Sequence, residues 1–356
     1  MKICGLRPVR AAFFEIRRQP FSENKRHSTC RIFIKSNVFP ALMLQIRIGI
    51  ALTSISAFGI IKMKNVRRGQ VNADMKKHIH TRTRRMPDGR LPKNRRELFF
   101  DALRWRFSFL LSVGLLLLAF SLPHLATLMY YDISASVLSQ ETADISSALF
   151  TLRLGTSLFQ TATYTLLFFG LGGIFHLLRT LAWREPAEVF RGFFSGLRSG
   201  WKHFTVLGVC VGVLRLSCTL AETMFYGFAK YLPGALFTFL AVPVLLYAAA
   251  LEVVYRKTFR NLLSSAAVLY VRTVPVTLLF SLLCTAPQLL LAIPKFTLRY
   301  AVLSAAVVVI MPVVLFGWTL YAHHNFDRWI NRENYPDLCG RGLCPQDRTQ
   351  DRRKES

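Results

Sequence analysis

Six long apolar runs dominate this chain: Phe107–Met129, Thr156–Leu178, Val206–Phe228, Leu232–Val254, Thr273–Ile293 and Ala301–Ala322. Each reaches the roughly 20 residues that a helix needs to cross a bilayer. In hydrocarbon every backbone N–H and C=O must be bonded within its own segment, so runs of this length fold as helices. The expected fold class is therefore all-α, a polytopic transmembrane helical bundle of about six spans. A further run, Ile48–Ile61, has only 14 residues and follows Arg47. It falls short of a span and starts too far along the chain for an ordinary signal peptide. It stands as the alternative seventh membrane element.

Composition agrees with this reading. Hydrophobic residues make up 52% of the 356, and 29 Phe stand beside only 19 Asp and Glu, which excludes an ordinary soluble enzyme. The same apolar content excludes disorder for most of the chain. The seven cysteines form no zinc spacing; Cys210, Cys218 and Cys284 lie inside apolar runs, where a thiol behaves as a small hydrophobe. Cys339 and Cys344 flank Gly-Arg-Gly-Leu, a weak pattern for a metal or redox site. No cofactor is expected.

The net charge is +27, and its distribution sets an orientation. Counting Lys and Arg in alternate connections gives 31 on one side of the membrane and 4 on the other. Cytoplasmic loops retain positive charge, so both termini are expected inside. The stretch Lys62–Arg106 alone holds 15 of these residues. It lacks interleaved aromatics, and anionic headgroups account for a basic juxtamembrane cluster, so nucleic acid is not expected as a partner. The domain reading is an atypical N-terminal extension at 1–62, disordered or untranslated, with Met63, Met75 and Met86 as alternative starts. A basic arm at 63–106, a six-span membrane domain at 107–322 and a basic tail at 323–356 follow.

The connection after the second span carries Phe190, Phe193, Phe194, Leu197, Trp201 and Phe204 on one helical face, with Arg191, Arg198 and Lys202 elsewhere. Large aromatics opposite basic residues predict an interfacial helix over 187–204, in the plane of anionic headgroups. Packing against a partner protein is the alternative.

Two spans carry polar residues. In the second, Thr156, Gln160, Thr163 and Gly170 form a stripe suited to close helix packing, or to a substrate path along Gln160 and Tyr164. In the third, Arg215 falls near the bilayer middle, and Glu222 lies seven residues on, with Thr219 between them. An intramembrane arginine is a functional-site candidate by default. An internal Arg215–Glu222 ion pair is equally compatible, with a water or Thr219 mediating, since about 10 Å of helix axis separates the two. Pro243, Pro287 and Pro312 predict kinks in spans four, five and six. Glu252 and Arg256 read as a surface i,i+4 pair. His323-His324 points to two faces of a helix and so suits no metal. Metalloprotease, P-loop and nucleophile-elbow patterns are absent, and no enzymatic activity is expected.

The stretch Gly172–Phe194, GGIFHLLRTLAWREPAEVFRGFF, runs from a span through an aromatic and Arg turn into a Phe-rich segment. With Ser121-Leu-Pro123 and Thr127 late in the first span, it resembles the YesL-like family of bacterial integral membrane proteins over about residues 98–330. The connection Tyr130–Gly155 is longer than that family's pattern. The resemblance implies a multi-helix protein of the bacterial cytoplasmic membrane, linked with carbohydrate uptake and of undefined molecular activity. The expected function is an accessory or scaffold component, with sugar-uptake transporter subunits as partners. The alternative is a secondary transporter or permease subunit with a substrate path near Arg215.

Overall fold

A computed structural model describes residues 92–141, 145–186, 188–255 and 257–344, all within the compact unit His80–Ser356. The expectations for 1–62, for Ile48–Ile61, for the arm up to residue 91, for Arg256 and for the tail beyond Cys344 lie outside these residues. The described residues form helices and turns with no strand. Six segments are long and apolar enough to cross a membrane: Phe107–Ser139, Ser146–Ala182, Val189–Met224, Gly227–Tyr255, Val274–Ala292 and Phe296–Asn334. The chain is a multi-pass membrane protein with an all-α bundle.

The first helix, α1 (Arg95–Trp105), precedes the spans. Its Glu97 side chain accepts the Lys93 backbone N–H at 2.7 Å, and Arg104 sits in its last turn, each charge at the end that suits the helix dipole. Leu98 and Ala102, one turn apart, bury α1 against the bundle. The end of the basic arm is therefore a packed helix. After a break at Arg106, α2 (Phe107–Glu141) and α3 (Ile145–Ala182) run as an antiparallel pair. Most of the expected connection Tyr130–Gly155 is therefore helical. The polar residues there read as a loop because the composition turns polar, yet the backbone stays helical.

The helix α4 (Val189–Met224) corrects the expectation of a separate interfacial helix. Residues 189–204 continue without a break into the third span, and α4 packs along α3 more extensively than any other described pair. Glycine sets this closeness. A Cβ at Gly208 or Gly212 would stand 2.7 Å from the Cα of Thr165 or Thr161, respectively. Helices in lipid gain little from hydrophobic burial against one another, so approach at small residues holds them. The Phe-rich face consequently divides. Phe193 and Phe204 are buried against Gly173 and Gly172, whereas Phe190, Phe194 and Trp201 face outward and Leu197 is half-buried.

The fourth span ends in α5 (Val242–Tyr255), preceded by a π-helical turn at Phe237–Ala241. Pro243 explains the turn. It has no N–H to offer the Phe239 carbonyl four residues back, and that carbonyl instead accepts the Tyr270 hydroxyl at 2.7 Å. The neighbouring Thr238 carbonyl accepts Ser281 Oγ at 2.5 Å. Tyr270 belongs to α6 (Phe259–Arg272), an amphipathic helix whose buried Leu262, Ala266 and Leu269 fall one turn apart. The sequence pattern left this segment as a loop. Ser281 lies on α7 (Val274–Thr285), which with the 3₁₀ turn Ala286–Ala292 makes the fifth span; Pro287 opens that turn and introduces no kink within α7.

The last span contains α8 (Phe296–Phe326) and continues through a π-helical turn to Asn334. The helix therefore runs past residue 322. Trp318 stacks edge-on against Tyr247 of α5, and the Tyr247 hydroxyl meets Thr273 at 2.7 Å and Asn325 at 2.8 Å. Both described chain ends lie on one face of the bundle: Arg95 bonds Asp327 at 2.9 Å, and the Cys344 N–H reaches the Pro92 carbonyl. Gly342 has φ +87, and a Cβ there would meet the Ala182 carbonyl at 2.4 Å, so the closing turn requires glycine.

Candidate functional site

The intramembrane charges gather at the end of the bundle opposite the described chain ends. Glu222 sits in the last turn of α4, and its Oε2 accepts Arg153 Nη2 at 2.6 Å. Its Oε1 lies 3.9 Å from Arg215 Nη1, an ion contact without a hydrogen bond. Glu222 is thus held between two arginines, and the stronger partner comes from α3. The expected Arg215–Glu222 relationship exists but is secondary. Thr219 does not mediate it, because its hydroxyl donates to the Arg215 carbonyl on its own helix at 3.0 Å. Two guanidinium groups against one carboxylate leave an excess of one positive charge.

Polar groups from α2 and α3 border Arg215. His124 Nδ1 is 3.3 Å from the Thr163 hydroxyl, and its ring lies 4.6 Å from that of Tyr164. The Arg215 guanidinium lies 6.0 Å from the Phe237 ring. Arg215 keeps 29% of its side chain exposed and Arg153 34%, so both can be approached from outside the bundle. Gln160 is half-buried on α3, and no hydrogen bond or ion pair joins it to the three charges among the described residues. Of the stripe to which it belongs, Thr163 and Gly170 both meet α2, through His124 and under Phe120, while the neighbouring Thr161 and Thr165 meet α4.

Chemically, the triad can neutralise an anion or fix helix register. Among the described residues no group of three His, Cys, Asp or Glu is placed to hold a metal. Arg153 escaped the sequence reading because it precedes the apolar core of its span. Extending the Thr156 stripe one turn toward the N-terminus would have found it. The pattern Gly192, Gly196, Gly200, Gly208 and Gly212, at multiples of four, was the unread signal for the α3–α4 seam.

On the opposite face, Arg341 donates to Glu185 at 2.9 Å and lies 4.4 Å from the Trp183 ring, while Arg184 pairs with Asp101. Burial, with help from the Arg184 charge, lowers the basicity of Arg106. His323 is buried and accepts Trp183 Nε1–H at 3.2 Å. Glu252 is buried too, and pairs with His203 at 2.7 Å, correcting its reading as a surface residue. Comparison with protein-family models, curated proteins and solved structures returns no match to this chain.

Proposed function

We propose that the chain is a non-enzymatic accessory or scaffold component of a bacterial cytoplasmic membrane, linked with carbohydrate uptake, with both termini in the cytoplasm. The observation that carries this reading is the free face of α4. A helix of 36 residues is about 54 Å long, against a hydrocarbon core of about 30 Å. With Glu222 near one end, the turns bearing Phe190, Phe194 and Trp201 stand at or beyond the opposite membrane surface. Phe193 and Phe204 fix that segment rigidly on α3, so its outward aromatics are preorganised for a neighbour, and Arg191 and Arg198 beside them favour anionic headgroups. The resemblance to YesL-like proteins names the neighbour as sugar-uptake transporter subunits.

The experiment is a pull-down of the full chain from native membranes in mild detergent, beside a Phe190→Asp/Phe194→Asp variant. Transporter subunits recovered with the natural chain and lost with the variant support the reading. Their absence from both overturns it. A second reading, a permease subunit for anionic solutes, is favoured by the unbalanced positive charge at Arg153 and Arg215. Uptake of a labelled sugar phosphate by vesicles containing only this protein, abolished by Arg215→Leu, would establish it instead.

A further inference from the structure

Glu252 is the one fully buried carboxylate among the described residues, with 4% of its side chain exposed. Its Oε1 lies 2.7 Å from His203 Nδ1, and its Oε2 has no hydrogen-bond partner. A buried carboxylate bonded on one side only is costly unless something else satisfies it. Space for that lies beside it. A cavity of about 10 Å³, enough for one water-sized particle, is bounded by Glu252, Gly172 and His176 of α3, and Gly196, Gly200 and Phe204 of α4. Glycine creates the space: a Cβ at Gly200 would stand 4.0 Å from Glu252 Cγ and 3.1 Å from the Phe204 ring.

The surrounding charges narrow the choice of ligand. Arg179 of α3 is directed to the Val253 carbonyl, and Lys202 of α4 lies against the Trp201 ring. From α6, the Phe259 ring stacks on His203, and the preceding Lys257 bonds Ser265. The titratable groups that line the cavity are thus Glu252 and His176, and His203 meets Glu252 beside it. No set of three such groups here is placed to hold a metal, and one particle's width admits no larger cation with its water shell. A proton, with one water, is the ligand that fits.

We propose that Glu252 and His203 form a proton-binding site in the seam of α3, α4 and α5. His203, 31% exposed, takes a proton from the aqueous phase on its outer nitrogen. Its Nδ1–H bond breaks as an O–H bond forms at Glu252 Oε1. One proton enters, the carboxylate becomes a neutral acid, and the imidazole ends as its other neutral tautomer. Uptake removes the charge that ties α4 to α5 at this point.

The test is infrared difference spectroscopy of the full chain in detergent between about pH 8 and about pH 5. The natural chain and a variant at the exposed Glu333, Glu333→Gln, should both show a band from a buried protonated carboxyl, and Glu252→Gln should lack it. Persistence of the band in Glu252→Gln, or its absence from the natural chain, overturns the proposal. Should Glu252→Gln fail to accumulate, His203→Gln decides: the band must then titrate at a different pH, and an unchanged titration overturns the proposal equally.

Discussion

Gly114 of α2 lies against Pro312 of α8 and the Val308 carbonyl that this proline leaves without its helical donor. Pro312 cannot donate to the Val308 carbonyl, and that carbonyl points at the bare Cα of Gly114, where a Cβ would come within 1.9 Å of its oxygen. One proline thus opens a polar backbone group, and one glycine lets a neighbouring span close over it. Gly114→Ala should lower stability by roughly 1–3 kcal/mol through forced separation of the two spans. Pro312→Ala restores the helical N–H and turns the carbonyl back toward its own axis, so the double variant should recover part of the loss. Thermal unfolding in detergent checks this, and strict additivity would refute the coupling.

The Phe-rich segment yields a prediction that separates its two faces. Phe193, 1% exposed against Gly173, is core, and Phe193→Ala should cost roughly 3–5 kcal/mol. Phe194, 48% exposed, should tolerate the same change with little loss of stability. Equal melting temperatures for the two variants would contradict the division.

The number and position of the spans were legible because each apolar run is long enough to need no tertiary context. What lay outside the runs was not. Arg153 falls where composition turns polar while the backbone stays helical. The helix Phe259–Arg272 was read as a loop because its charged residues at 257, 260 and 272 outweighed Leu262, Ala266 and Leu269 in the pattern. The six positions from Phe190 to Phe204 share one helical periodicity, yet the structure divides them between buried and outward-facing. Periodicity alone cannot tell a face that meets lipid from one that meets a glycine-bearing neighbour. Glu252 followed the same logic: an i,i+4 charge pattern suggests a surface pair, and only the approach of α4 through Gly200 buries it.

The charge triad predicts an ordering of couplings. In a double-mutant cycle Arg153 and Glu222, joined at 2.6 Å, should couple more strongly than Arg215 and Glu222 at 3.9 Å. Breaking a fully buried pair costs about 3–5 kcal/mol. Here the 34% exposure of Arg153 reduces the expectation to about 1–2 kcal/mol. Glu222→Leu should be the most damaging single change, because it leaves two guanidinium groups facing each other. Melting temperatures of Arg153→Leu, Arg215→Leu, Glu222→Leu and the two doubles decide it; a larger coupling for Arg215 would reverse the assignment.

Orientation gives a prediction independent of packing. A fluorescent reporter fused after Ser356 should fold in the cytoplasm, and an export-dependent reporter inserted near Ser136, close to the C-terminal end of α2, should be active. Activity of the exported reporter at the C-terminus instead would invert the topology drawn from the 31 and 4 basic residues.

The π-helical turn of the fourth span provides the last prediction. Pro243 releases the Phe239 carbonyl, and Tyr270 is its substitute donor at 2.7 Å. Tyr270→Phe keeps the ring and removes the donor, which should cost about 1–3 kcal/mol if the carbonyl stays unsatisfied. Pro243→Ala returns an N–H to the helix, allowing the turn to relax to ordinary α-helix and satisfy Phe239 internally. In that background Tyr270→Phe should cost almost nothing. The change also removes the reason for α6 to remain docked at this height, although Ser281 still holds the Thr238 carbonyl from α7. Unfolding of the two single variants and the double, with hydrogen exchange over Phe237–Ala241, tests the arrangement. A Tyr270→Phe cost that is unchanged in the Pro243→Ala background would show that the hydroxyl stabilises the protein by some route other than the carbonyl that proline exposes.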